Sequence, residues 1–382
     1  MTVWIQNPFD NLPGEGYRKQ RYWLMSEAFA AAGHKVVFWT SDFSHLKKEK
    51  RGLGGLGGLE GLGFEVRLIP TLPYRRNVGW ARIRSHRDYA RTWMRMARTQ
   101  TASPDVIIAS LPSISAAAAA MALGRHFGAK VVVDIMDAWP ETFERLAPRG
   151  FRWLVHALLA PLRRKVRRLY RDADLVTGVC ARYGILSARP DYALAYHGIE
   201  LEADGALAGR APTRIARPDA IRLVYAGTLG RTYDLETVLR TVAANPDFTL
   251  DVAGRWTGPV PARVTAHGYL GREELGRLLE ACDIGLIPMA PDSWVGMPYK
   301  ICDYAKAGLR IVSSLGGESS ALLEKWRCGE TYRAGDAASL AQAVRRAMKL
   351  AHGDSRRMCE AELDAKRIYG KYVERIERGV SG

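Results

Sequence analysis

The sequence predicts an α/β protein of two doubly wound parallel sheets, and three observations carry that prediction. Short runs rich in Val and Ile alternate with longer amphipathic stretches along almost the whole chain. Several runs, such as Lys130–Ile135, are nearly unbroken apolar segments, as strands covered on both faces must be. The alternation stops at Leu201–Asp219, where Ala, Gly, Pro and Arg replace any apolar period. That segment reads as a linker dividing the 382 residues into two halves of ordinary domain size.

The first half offers strands at Val3–Gln6, Lys35–Thr40, Phe64–Ile69, Val106–Ser110, Lys130–Ile135, Leu175–Val179 and Tyr192–Tyr196. The second offers Arg222–Ala226, Thr249–Ala253, Val264–His267, Ile284–Pro288 and Arg310–Ser314, with helices Leu235–Ala244, Arg272–Ala281 and Ala337–Ala351 between them. Two Rossmann-like domains follow, residues 1–200 and 220–359. Ligands of such sheets sit beyond the carboxyl ends of the strands, so two facing sheets place an active site in the cleft between them. The Gly-rich stretch Gly52–Gly63 cannot hold a helix and reads as a surface loop, or as a mobile apolar loop touching lipid or acceptor.

Hydrophobic residues make up 47% of the chain and charged residues 25%, which supports a packed core and excludes disorder. The longest apolar run, near Ser115–Leu123, is too short to span a bilayer, and the N-terminus enters a strand without a signal pattern. The five cysteines are scattered, so reduced, buried thiols in a cytoplasmic protein are expected.

Four segments carry chemistry. In Asn7–Arg21, Gly14, Gly16 and Arg18 lie between a strand and a helix, where backbone approaches a ligand easily; a plain strand–helix turn accounts for them equally well. In Asp134–Glu144 the carboxylates Asp134, Asp137 and Glu141 stand where a strand enters a loop, beside the apolar Trp139–Pro140. In Tyr225–Leu239, Gly227, Gly230 and Arg231 offer backbone N–H groups and a guanidinium to a diphosphate, and Arg255 adds a cation after the next strand. In Pro288–Gly317, Lys300 opens a helix and suits a phosphate, Asp303 is an acceptor-only group suited to a ribose diol, and Gly316–Gly317 forms an anion-nest candidate.

The stretches DAWPE, YAGTLGR, HGYLGREELGRLLEACDIGLIP and PYKICDYAKAGLRIVSS, in this order, resemble retaining glycosyltransferases of the GT-B architecture, family 4. The resemblance implies a nucleotide-sugar donor held by the C-terminal domain and an acceptor read by the N-terminal one. It gives Asp303, where Glu is usual, the donor ribose. Val295 stands where many members carry a second Glu, and Tyr233 where a Lys is widespread, with Arg231 one residue before the usual Arg. Arg231, Arg255 and Lys300 are therefore the candidates that neutralise the diphosphate. Family members end in a helix that crosses back to the first domain, and residues 360–382 fit, with Ile368, Tyr369, Tyr372 and Ile376 at helical spacing.

No metal is expected, because the letters Asp172-Ala173-Asp174 fall at a turn between a basic helix and a strand and read as a cap. Cations and helix-dipole amides must then stabilise the leaving diphosphate. The catalytic candidates are Asp137, Asp134, Arg231 and Lys300, with one of the two aspartates orienting an acceptor hydroxyl or steadying the oxocarbenium-like centre. By the resemblance, the leaving phosphate itself accepts the acceptor's proton.

Charge points to the acceptor. Residues 1–200 hold 30 Lys and Arg against 17 Asp and Glu, net +13 of the chain's +16. Arg75–Arg98 and Arg149–Arg171 mix cations with Trp80, Trp93, Phe151 and Trp153, a composition that favours an anionic membrane face. The expectation is a cytoplasmic glycosyltransferase peripheral to the inner face of the cell membrane, adding sugar to a lipid-linked acceptor in surface polysaccharide or glycolipid synthesis. A soluble acceptor, or a noncatalytic nucleic-acid- or membrane-binding protein, are the alternatives; no nucleic-acid recognition motif accompanies the charge.

Overall fold

Val3 to Gln6 are all buried, as a central parallel strand requires, and the first sheet grows outward from them. The computed structural model describes residues 1–52, 59, 61–201, 220–227, 229–230, 232–291 and 293–380. The linker residues 202–219, most of the Gly-rich stretch and Arg231 lie outside the described residues. In chain order the first sheet and its cover comprise β1 (Thr2–Gln6), α1 (Arg21–Ala31), β2 (Lys35–Ser41), the hairpin β3 (Phe43–Ser44) and β4 (Glu49–Lys50), β5 (Glu65–Ile69), α2 (Trp80–Arg98), β6 (Val106–Leu111), α3 (Ile114–Phe127), β7 (Lys130–Ile135), α4 (Arg152–Leu158), α5 (Ala160–Asp172), β8 (Leu175–Gly178), α6 (Ala181–Ser187) and β9 (Ala193–Leu194). There follow β10 (Ile221–Ala226), α7 (Leu235–Ala244), β11 (Phe248–Ala253), β12 (Val264–Gly268), α8 (Arg272–Glu280), β13 (Ile284–Ile287), α9 (Lys300–Lys306), β14 (Arg310–Ser313), α10 (Glu318–Lys325), β15 (Gly329–Thr331), α11 (Ala337–Ala347), α12 (Asp354–Met358) and α13 (Ala365–Val380).

Apart from the antiparallel β3–β4 hairpin, the described strands form two parallel sheets, ordered β5-β2-β1-β6-β7-β8-β9 and β12-β11-β10-β13-β14-β15. Each order reverses beside its first strand, between β1 and β6 and between β10 and β13. Such reversals open a crevice at the carboxyl ends of the strands, where ligands of doubly wound sheets bind. The sequence misses β15, because Gly-Glu-Thr has no apolar run; Gly329 is there because any side chain would strike the Ile311 carbonyl of the adjacent strand.

The chain divides into one compact unit of Met1–Tyr196 with Lys366–Gly382, and a second of His197–Ala365. These bounds differ from a break near 200 and 360, and the reason is hydrogen bonding. Tyr299 Oη donates to the Gly198 carbonyl (2.9 Å), Lys306 Nζ to the Glu200 carbonyl (2.7 Å), and Ile199 N to the Leu363 carbonyl (2.9 Å). The residues 197–200 therefore pack with the second unit, and α13 with the first.

One ion pair organises the first unit. Arg21, at the start of α1, and Asp134, on β7, are both fully buried. The guanidinium donates to both carboxylate oxygens through Nε and Nη2, each at 2.8 Å, while Tyr22 Oη (2.7 Å) and Thr177 Oγ1 (2.6 Å) complete the carboxylate's shell. The remaining guanidinium nitrogen caps the chain after β9 through the carbonyls of Ala195 and Tyr196. From α13, Tyr369 and Tyr372 lie 5.8 and 6.0 Å from the guanidinium carbon, and Tyr372 Oη meets Thr177 Oγ1. Burial drives the Asp134 carboxyl up, but Arg21 and the hydroxyls of Thr177 and Tyr22 outweigh it and hold it below the usual carboxylate range. Removing one partner of such a pair strands a buried charge and costs about 3–5 kcal/mol. Arg21→Met should lower stability in urea unfolding by that amount; a change below about 1 kcal/mol would refute the organising role.

Candidate active site

In the second unit, β10 is followed by Gly227, whose N–H donates to the Ala253 carbonyl (2.8 Å) at the end of β11. Gly227 has φ 135°, a conformation open to glycine, and a side chain on it would meet Lys300 Nζ. A side chain on Gly254 would run into the Gly227 carbonyl. These two glycines thus let the loops after β10 and β11 close upon each other and upon one cation.

That cation is fixed. Lys300 opens α9, is buried, and lays Nζ 4.3 Å from the centre of the Tyr233 ring and 5.0 Å from that of Tyr225. It donates to Tyr233 Oη at 3.2 Å. The helix itself is pinned by Tyr304, whose hydroxyl accepts from Ala226 N (2.9 Å) and donates to the Leu286 carbonyl (3.2 Å). Tyr233 pairs in antiparallel fashion with Met289, so the loops after β10 and β13 are stitched across the reversal point. Tyr233, at the position where the resemblance expects Lys, therefore holds the cation that α9 supplies.

Asp303 lies one turn along α9 and is half-buried, and Arg255 is exposed immediately after Gly254. Gly230 accepts from Tyr233 N and has open space where a side chain would be. Gly316 and Gly317 are exposed at the carboxyl end of β14, ahead of α10, with open space about both. Every described donor-side candidate thus lies at the carboxyl edge of one sheet, and Gly227, Gly254 and Lys300 are in direct proximity.

The first unit separates the three carboxylates that the sequence grouped. Asp134 is buried with both oxygens engaged, so its expected place beside substrate is corrected: it belongs to the scaffold. Asp137 emerges after β7 at an exposed position of the chain, with its carboxyl desolvated by surrounding protein atoms. The protein around it raises its carboxyl to about 6, against the pull of Arg82. Glu141 is nearly buried at the start of a 3-10 turn, and burial raises its carboxyl.

Beside Asp137, Trp139 stacks on His86 (5.7 Å between ring centres, 18° apart) and packs on Phe143. The Arg82 guanidinium lies 4.6 Å from the Trp139 ring and 5.4 Å from that of Phe9. Burial and the Arg82 charge push His86 down to about 3, and His45 nearby to about 3, so both stay neutral beside the guanidinium. Sequence reading missed Arg82 and His86, which lay within a segment read as a basic surface helix. Their apolar neighbours at helical spacing were the available signal.

The loop after β1 holds Gly14 and Gly16 exposed at φ 82° and 84°, with Arg18 half-buried after them. Glu15 turns inward to Arg51 (2.9 Å), which also donates to the carbonyls of Asp10 and Ser41. Asp10 caps α1 by accepting from Tyr22 N and Trp23 N. The Asp172–Asp174 letters serve structure: Asp172 pairs with Arg171, and Asp174 accepts from Val131 N.

The basic helices divide in the same way. Trp93 is fully buried, and Arg163 is buried and bonded to Glu144 (2.8 Å), so neither is a surface group as the sequence suggested. Trp80, Phe151, Trp153 and Leu158 are exposed, as are Arg164, Lys165, Arg167 and Arg168. No helix among the described residues is long and apolar enough to cross a membrane.

The two parallel sheets, each with its reversal point, are those of two Rossmann-like domains. The sequence matches the family described as glycosyl transferase 4-like domain over residues 19–184 and that described as glycosyl transferases group 1 over residues 220–349, and the chain belongs to these glycosyltransferases. It is similar in fold to Anabaena HepE in complex with UDP and glucose, with 14% identity over 99% of this chain and 100% of that one (TM-score 0.66). It is similar also to sucrose-phosphate synthase from Thermosynechococcus elongatus, with 14% identity, 99% and 98% covered and a TM-score of 0.71. A third likeness is to the lipopolysaccharide outer core galactosyltransferase WaaB, with 12% identity, 100% and 99% covered and a TM-score of 0.61. No curated protein matches the sequence significantly.

The glycine contact is testable. Gly254→Ala forces a methyl group against the Gly227 carbonyl, and such overpacking costs about 1–3 kcal/mol. A lowered thermal midpoint is expected, and an unchanged one would mean that the two loops can separate freely.

Proposed function

We propose that the protein moves a sugar, with retention and without a metal, from a nucleotide-sugar donor to a lipid-linked acceptor in surface polysaccharide or glycolipid synthesis, at the inner face of the cell membrane. The observation that carries the acceptor reading is α4, which buries none of its residues and exposes Trp153 (70%) and Leu158 (69%) just ahead of four exposed cations of α5. Apolar side chains that enter a headgroup layer, followed by cations, suit shallow, reversible binding to an anionic surface. The donor reading rests on Lys300 among Gly227, Tyr225 and Tyr233, and on the UDP and glucose in the Anabaena structure.

In this mechanism Lys300, with Arg255 and Arg231, meets the charge that develops on the leaving diphosphate; removing one such group typically raises the barrier by about 2.7–4 kcal/mol. Asp303 takes the ribose diol, and the amides at Gly316–Gly317 add dipoles. Trp139 walls the acceptor sugar, and Asp137, ionised, orients the attacking hydroxyl, whose proton passes to the departing phosphate.

The protein should pellet with anionic vesicles at low salt, leave them at high salt, and turn over nucleotide sugar in EDTA. Gln at Arg164, Lys165, Arg167 and Arg168 should weaken pelleting and leave donor binding intact. Equal partition onto neutral and anionic vesicles would favour a soluble acceptor, and activity lost in EDTA and restored by magnesium would overturn metal independence.

The raised carboxyl of Asp137 sets a pH dependence. A carboxylate ordinarily ionises near 3.8, whereas this one is protonated below about 6, so its ionised form is lost as pH falls through 6. Transfer should rise with pH to a plateau, with a midpoint near 6. In Asp137→Asn that limb should vanish along with most of the rate; an unaltered profile would exclude the residue from the reaction.

A further inference from the structure

A recess of about 700 Å³ opens in the first unit between the β3–β4 hairpin and the chain leading into α2. Lys48, Lys50, Tyr74, Arg75, Arg76 and Trp80 line it. The charges are unequal in availability. Lys50 already bonds both oxygens of Asp42 (2.7 and 2.8 Å) and the Thr71 carbonyl, and Glu49 stands in the lining as an opposing charge. Lys48 is held by neutral groups: its Nζ donates to Asn77 Oδ1 (2.5 Å) and lies 4.7 Å from the Tyr74 ring centre. Burial and the Arg82 charge lower its ammonium to about 8, so a nearby anion would restore it. Arg75 and Arg76 are exposed at the mouth.

The rim is apolar. Trp80 is 80% exposed and Val78 57% exposed, and both line the recess. Large apolar groups left in water beside a cluster of cations match a ligand that is anionic at one end and hydrocarbon at the other. The inner wall leads to the acceptor side: Tyr74 lies 5.9 Å from the Arg82 guanidinium, which in turn covers Trp139 and acts on Asp137.

We infer that this recess binds the diphosphate of an isoprenoid or alkyl diphosphate amphiphile, with Lys48, Arg75 and Arg76 on the anion and Trp80 and Val78 on the first carbons of the chain. The inference rests on the lipid-linked acceptor reading and names the site that would hold the acceptor's head. Farnesyl diphosphate, inorganic pyrophosphate and farnesol are the probes, titrated calorimetrically into the full-length protein.

Farnesyl diphosphate should bind at least about tenfold more tightly than pyrophosphate, and farnesol should not bind. Arg75→Gln with Arg76→Gln should weaken farnesyl diphosphate at least about tenfold. Trp80→Ala should erase the advantage over pyrophosphate while leaving pyrophosphate itself unchanged. All three positions are exposed, so folding is spared, and circular dichroism checks it. Wild-type affinity for farnesyl diphosphate in the double variant would overturn the site, since binding would then lie elsewhere, as would equal affinity for pyrophosphate and farnesyl diphosphate in the wild type. Transfer to a lipid acceptor that survives loss of this binding would overturn the recess alone. Binding here without transfer to any lipid would sustain the recess and count against the acceptor reading.

Discussion

The first unit depends on one buried charge pair. Arg21 and Asp134 join α1 to β7, and their other partners bring in β8, the chain after β9 and α13. A guanidinium and a carboxylate taken out of water are tolerable only where each lone pair and proton finds a partner. The geometry meets that demand by drawing in Tyr22, Thr177 and two backbone carbonyls. The pair therefore fixes where the loop after β7 begins. With Asp134 committed inward, Asp137 is the acid that the loop beyond it carries.

The second unit works by proximity of backbone. Gly227 and Gly254 remove the side chains that would keep two loops apart, and Lys300 occupies the space gained. Two tyrosine faces and a hydroxyl meet the ammonium there.

Much of this was legible in the sequence because parallel strands write themselves as apolar runs. β7 and α7 fall where the pattern puts them, and the glycine loop after β10 lies at the carboxyl edge as its position predicted. What was not legible were the directions of side chains. Asp134 and Asp137 are three residues apart and read alike, yet one belongs to a strand and meets Arg21 and Tyr22 from α1, and the other to the loop beyond it. Trp93 and Trp80 share a helix and a basic neighbourhood, but only the covering of one helix face distinguishes a core ring from an exposed one. Arg82 looked like one cation among many, since its aromatic enclosure comes from Phe9, Tyr74 and Trp139, distant in sequence.

The placement of α13 bears on how the chain is made. Its Tyr369 and Tyr372 cover Arg21, and Glu377 bonds His34 (2.9 Å), so this piece of the first unit is synthesised only after the second unit. Some 170 residues of the second unit, His197–Ala365, are synthesised in between. Until they are complete, the buried guanidinium lacks two of its aromatic neighbours. The N-terminal half therefore waits, unfinished, for α13, and the order of synthesis couples the maturation of the two halves.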